Sequence, residues 1–126
     1  MLKFDDGYEK WTMQAEESLP IFIECIRKKD LKALGNLVQD EWQQMHDVMI
    51  NSKPSLDYWK KTSFEVIDAV KRMRADGLGC CFTTDAGPNV KVLCLGDDVE
   101  KIQCSLSKFS GVQRLIVSEI AQNPYL

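Results

Sequence analysis

Two short β-prone runs, Cys80-Cys81-Phe82-Thr83-Thr84 and Asn89 to Leu95 (N-V-K-V-L-C-L), are separated by only Asp85-Ala86-Gly87-Pro88. That spacing constrains the fold more than any other feature of the sequence. A glycine followed by a proline forces the backbone out of a strand ladder, so the chain must turn between the two runs. A sheet with an apolar face has to bury it against a second layer. The residues before Gly79 supply that layer, because their apolar positions recur at helical spacing.

Over 8–29, Trp11, Ala15, Leu19, Ile23 and Ile26 fall three and four apart and predict a helix with that stripe inward. Pro20 removes a backbone donor and clashes with the preceding turn, which predicts a kink or break, with Ser18 capping a second helical segment. Asp30 is placed to cap the next helix. Leu31, Leu34, Leu37, Val38, Trp42, Met45, Val48 and Met49 mark its inner face, and it ends near Asn51, ahead of Lys53-Pro54. A loop over 51–61 carries Tyr58 and Trp59. Thr62-Ser63-Phe64-Glu65 matches a capping box, with Thr62 and Glu65 as the reciprocal pair. Val66, Ile67, Val70 and Met73 then face inward, and Gly77 stops this helix. After the two strands, Asp97 or Asp98 caps a helix over roughly 98–109, with Val99, Ile102, Leu106 and Phe109 inward. Val112 to Ile120 reads as a last strand, ended by Asn123-Pro124. The order helix, helix, helix, strand, strand, helix, strand predicts an α+β domain, with helices on one face of a small, mostly antiparallel sheet.

The 126 residues fit one domain, 1–126. The net charge of −3 and the absence of any basic block argue against a nucleic-acid surface. No apolar run approaches the roughly 20 residues needed to span a bilayer. Met1-Leu2-Lys3-Phe4-Asp5-Asp6-Gly7 contains no apolar core of a signal peptide. With five cysteines, no C-x-x-C pair and one histidine, the sequence predicts reduced, mostly buried thiols in a cytoplasmic protein and no zinc site.

Asp85 is the residue that can carry chemistry. It sits where a strand gives way to a tight turn, and the small side chains of Ala86 and Gly87 let a ligand approach the backbone. A carboxylate there can act as a base or orient a hydroxyl. It can equally be a turn-former that bonds its own backbone. His46, Trp42, Tyr58, Trp59 and Arg74 are readable as packing or surface residues; Arg74 has the reach to meet a diphosphate.

D-A-G-P-N at 85–89, following an apolar run that ends in F-T-T, resembles the signature of the mevalonate diphosphate decarboxylases, a family of the GHMP kinase superfamily. Further pieces are similar to that family and occur in its order. They are Gly7-Tyr8-Glu9-Lys10-Trp11 with Ala15-Glu16-Glu17, then Ile26-Arg27-Lys28-Lys29-Asp30-Leu31. Met45-His46 comes next, and then Lys53-Pro54-Ser55-Leu56-Asp57-Tyr58-Trp59. The resemblance implies a GHMP kinase C-terminal-type domain. It implies an activity in isoprenoid biosynthesis that phosphorylates the 3-hydroxyl of mevalonate 5-diphosphate, or of a related mevalonate phosphate, with ATP and magnesium. Loss of phosphate and carbon dioxide then gives isopentenyl diphosphate. The family's essential aspartate falls at Asp85, the catalytic candidate. Gly87 and Asn89 belong to the motif and are the substrate-binding candidates, or they shape the turn.

The superfamily holds ATP on a Gly/Ser-rich loop at a helix N-terminus, and no such loop occurs in this sequence. Gly77-Leu78-Gly79 contains no serine and leads into a strand. The expectation is a domain without its ATP-binding half, inactive alone and completed by an N-terminal half. The alternative is a non-enzymatic small-molecule-binding or interaction module derived from that domain, such as a homodimer covering the bare face.

Overall fold

The computed structural model describes residues 6–123; residues 1–5, on which the leader expectation partly rests, and Pro124 lie outside them. Helices α1 (Asp6–Arg27), α2 (Leu31–Asn51) and α3 (Lys61–Ala75) precede strands β1 (Cys80–Thr84) and β2 (Val90–Cys94). A single 3₁₀ turn at Gly96–Asp98 then leads into α4 (Val99–Leu106). The strands pair antiparallel, with Cys80 opposite Cys94, Phe82 opposite Val92 and Thr84 opposite Val90. Helices α2 and α3 pack on this sheet, α1 packs on α2, and α4 packs on α3. The class is α+β, as the residue pattern predicts.

The core lies between α2, α3, α4 and β1. Trp42, Val66, Ile67, Ala69, Val70, Met73, Cys80, Phe82, Ile102 and Leu106 form one buried cluster. The α3 stripe reaches it because residues three and four apart share a helix face. Helix α3 stops as its glycine predicts. Gly77 takes φ +95°. Its N–H donates to the Arg74 carbonyl at 3.0 Å and the Leu78 N–H to the Met73 carbonyl at 3.0 Å, the paired bonds of a Schellman ending. At the start of α2, Asp30 Oδ1 accepts from the Ala33 N–H at 2.9 Å, the predicted cap. Helix α2 can lie close to β1 because Gly35 has no side chain; a Cβ there would stand 3.0 Å from Cys81 Cβ.

Several local expectations are corrected. Helix α1 runs through Pro20 without a break. The carbonyl that loses its partner belongs to Glu16, and both residues are exposed, so solvent can take that bond. Ser18 does not cap a new helix; its hydroxyl donates to the Gln14 carbonyl at 2.8 Å. Trp11 and Ala15 of the predicted α1 stripe are half-buried, but beyond them the inner face is rotated from it. Cys25 is its buried residue and Phe22 is half-buried, whereas Leu19, Ile23 and Ile26 are exposed. Two apolar stripes lie side by side on this helix, and the one continuous with Ser18, Phe22 and Cys25 meets α2. Trp11 ties the two helices, donating to Glu41 Oε1 at 2.6 Å.

The predicted last strand over 112–120 does not form. The described sheet has two strands only, and residues 113–120 are exposed with no ladder partner among the described residues. A strand is defined by its neighbour, and sequence alone does not show whether one is present. Asp98 stands at the head of α4 without a side-chain cap bond; its carboxylate accepts from the Gly79 N–H at 3.2 Å instead.

All five cysteines are free thiols, three of them buried. Burial pushes the Cys80 thiol from 9.0 to about 11, against the opposing pull of the Arg74 charge. Cys81 and Cys94 are raised for the same first reason. A folded-state pKa above the unfolded one gives stability that is complete below pH 9.0 and is lost as pH rises toward about 11. For Cys80 alone the difference is worth about 2–3 kcal/mol. The melting temperature is expected to fall across that window, and Cys80→Ala should flatten the fall in a pH series of thermal melts. Among the described residues no helix is long and apolar enough to cross a membrane.

Candidate active site

The turn between β1 and β2 is pinned at both ends. At its start, Thr84 closes β1 with its side chain in the core, 2% exposed. Two indoles converge on that side chain. Trp42 Nε1 from α2 and Trp59 Nε1 from the loop before α3 each donate to Thr84 Oγ1 at 2.9 Å. At the other end, the Ser63 hydroxyl donates to the Pro88 carbonyl at 2.7 Å. The same oxygen accepts from the Lys60 N–H at 3.1 Å and so caps α3. The expected Thr62–Glu65 capping box is therefore replaced by one two residues earlier, with Lys60 at the N-cap and Ser63 at the N3 position. Losing this hydroxyl removes a part-buried bond at the turn and another at the helix start. Ser63→Ala is expected to cost about 1–3 kcal/mol in urea unfolding, more than an exposed cap would.

Between those anchors the chain is presented to solvent. Asp85 is exposed and pairs with Lys91 of β2. An exposed pair of this kind contributes about 0–1 kcal/mol, so an incoming hydroxyl can replace Lys91 at small cost. Gly87 takes φ +153° with no atom within 4 Å of where a Cβ would stand. Its requirement is conformational, since a side chain there would have room. Asn89 is exposed on the same turn. The three candidates Asp85, Gly87 and Asn89 thus share one outward-facing turn. Lys91 also lines a cleft of about 380 Å³ formed by Val38, Thr83, Leu93 and residues 118–120.

His46 lies among aromatic rings, 5.1 Å from Trp42 at 21° and 4.5 Å from Trp59. Its ring nitrogens are buried without a hydrogen bond among the described residues. Arg74 Nη2 is engaged locally, donating to Asn36 Oδ1 at 2.8 Å and to the Lys32 carbonyl at 3.2 Å. No group of three or more His, Cys, Asp or Glu side chains gathers for a metal among the described residues. Gly77-Leu78-Gly79 is no phosphate cradle either. Its first glycine ends a helix, and its last already donates to a carboxylate, a poor neighbour for phosphate. Among the described residues, this segment offers no cradle for the phosphates of ATP.

Sequence reasoning missed Thr84, Ser63 and Lys91. Ser63 lies inside the recognised Thr-Ser-Phe-Glu motif, and Lys91 follows from hairpin register, opposite Thr83. The two indole bonds cross 42 and 25 residues of chain, and no local pattern marks them.

Helices packed on a two-stranded antiparallel hairpin define the class as α+β. Residues 10–124 match the mevalonate 5-diphosphate decarboxylase C-terminal domain, and the chain belongs to that family. The diphosphomevalonate decarboxylase of Bos taurus is 34% identical over 77 residues, covering 60% of this chain and 19% of that protein. Among solved structures, a mevalonate diphosphate decarboxylase from Enterococcus faecalis, studied for its mevalonate diphosphate mediated ATP binding, is 34% identical with TM-score 0.78. The match covers 86% of this chain and 34% of that one. A structure of MDDEF in complex with MVAPP, AMPPCP and magnesium is likewise 34% identical, with TM-score 0.78, over 86% of this chain and 33% of that one. The chain spans about a fifth of the bovine relative and about a third of these solved structures.

Proposed function

We propose that residues 1–126 act as one domain, the C-terminal part of an ATP-dependent mevalonate diphosphate decarboxylase. In this reading Asp85 is the catalytic carboxylate. It orients the 3-hydroxyl of mevalonate 5-diphosphate and accepts its proton. Gly87 gives the turn the shape that brings Asp85 forward, and Asn89 faces the substrate beside it. ATP and magnesium are held by the N-terminal, ATP-binding part of such an enzyme, and the product is isopentenyl diphosphate. The protein works in the cytoplasm, where its five free thiols stay reduced.

The observation that carries the reading is the placement of D-A-G-P-N within a family match over 10–124. The motif's carboxylate faces solvent and is not spent on its own turn. Accessibility is what a group acting on a substrate needs. The test is to incubate the chain with ATP, magnesium and mevalonate 5-diphosphate, with and without the ATP-binding half of a relative, and to assay phosphate and carbon dioxide. Turnover in the mixture and none from the chain alone is expected. Silence in both sinks the reading.

A second reading has its own support. Met13, Leu19, Ile21, Ile23 and Ile26 on α1, and Leu115, Ile116, Val117 and Ile120 in the tail, are exposed. Exposed apolar patches favour a binding partner. A non-enzymatic interaction or small-molecule-binding module, or a homodimer, would use them, and no turnover in either mixture would favour it.

A further inference from the structure

We propose that Trp42 and Trp59 are positioning residues, whose two indole N–H groups, converging on the Thr84 hydroxyl, fix the end of β1 and thereby the aim of Asp85. This rests on the reading of Asp85 given above, but its geometry stands independently. A threonine hydroxyl has two acceptor lone pairs, and here two indole donors at 2.9 Å occupy them. Both tryptophans are 5% exposed and Thr84 is 2% exposed, so water does not compete for these bonds.

The indoles are themselves immobilised. Their rings meet edge-on, with centroids 6.0 Å apart at 77°, and Trp42 meets Phe82 at 5.2 Å and 73°. The His46 ring lies against both. An indole N–H is a donor with no acceptor role, so neither bond can invert or exchange direction. Asp85 follows Thr84 directly, and among the described residues its side chain is held by the exposed Lys91 alone. The precision of the carboxylate therefore comes from the backbone behind it. Ser63 fixes the far end at Pro88, so the turn hangs between a buried anchor and a part-buried one, supplied by α2, α3 and the loop between them. The aromatic residues act through Thr84 and touch no substrate.

The test uses the full chain, ¹⁵N-labelled, with Thr84→Val, Thr84→Ser, Trp42→Phe and Trp59→Phe. The wild-type Asp85 amide is expected to show an order parameter of about 0.85, falling below about 0.6 in Thr84→Val. Each phenylalanine variant should fall between, and Thr84→Ser, which keeps the acceptor, should restore the wild-type value. Should Thr84→Val fail to fold, the two phenylalanine variants carry the comparison. An Asp85 amide as rigid in every folded variant as in the wild type overturns the proposal.

In the turnover assay with the ATP-binding half, Thr84→Val should lower kcat about tenfold to a hundredfold while KM moves less than about threefold. Thr84→Ser should stay near wild type. The two readings fail separately. Absence of wild-type turnover removes the decarboxylase assignment, whereas the order parameters decide the clamp regardless.

Discussion

Asp85→Asn is expected to lower phosphate and carbon dioxide release, in the mixture with an ATP-binding half, by about 10²–10⁴-fold, the range spanned by loss of a general base. Asparagine keeps the shape and size of the side chain, so the turn should remain intact. The exposed pair with Lys91 is worth about 0–1 kcal/mol, and its loss should leave the melting temperature nearly unchanged. That combination, intact stability with collapsed kcat, separates a chemical role from a structural one. Mevalonate 5-diphosphate should still bind, which a direct binding measurement on the variant mixture checks. Full activity in Asp85→Asn would remove this carboxylate from the reaction.

Phe82→Ala should have the largest effect on folding. Phe82 is 1% exposed at the middle of β1 and belongs to the core shared with α2, α3 and α4. Truncation costs the transfer free energy of the ring plus the cavity it leaves, about 3–5 kcal/mol. It also removes the edge-on contact with Trp42, and Lys71 Nζ loses one of the two rings near which it lies, at 5.9 and 6.0 Å. A domain of this size has about 5–15 kcal/mol of stability in total, so the loss is a large share of it. The midpoint of urea unfolding should drop accordingly. Phe64→Ala is the control. Phe64 is 38% exposed on the neighbouring helix, and its truncation should cost well under half as much.

The elements legible in the sequence are those whose determinants are local. The α2 and α3 stripes repeat at helical spacing over several turns, and Asp30 and Gly77 mark ends with chemistry confined to a few residues. The hairpin is dictated by the glycine and proline between its strands. The failures share a different cause. Pro20 is tolerated because the bond it removes faces water, and orientation toward water is a tertiary property. The inner face of α1 is ambiguous in the sequence because two adjacent stripes have similar apolarity and only contact with α2 chooses between them. Residues 112–120 have strand composition, but a ladder needs a neighbour. At the candidate site, Asp85 stands out through the resemblance of its motif, since a lone aspartate at a turn is uninformative. The support beneath it joins positions 42, 59, 63, 84 and 88, which only folding brings together.

The opening turn of α3 has two tenants. Ser63 holds the Pro88 carbonyl, and the neighbouring Thr62 lies so near Gly111 that a Cβ on that glycine would run into its hydroxyl. The loop bearing the acidic residue and the point where the tail departs from α4 are therefore moored to adjacent residues of one helix. Fraying of that turn sets both adrift in a single event, and stretches well apart in the chain become vulnerable to nicking together.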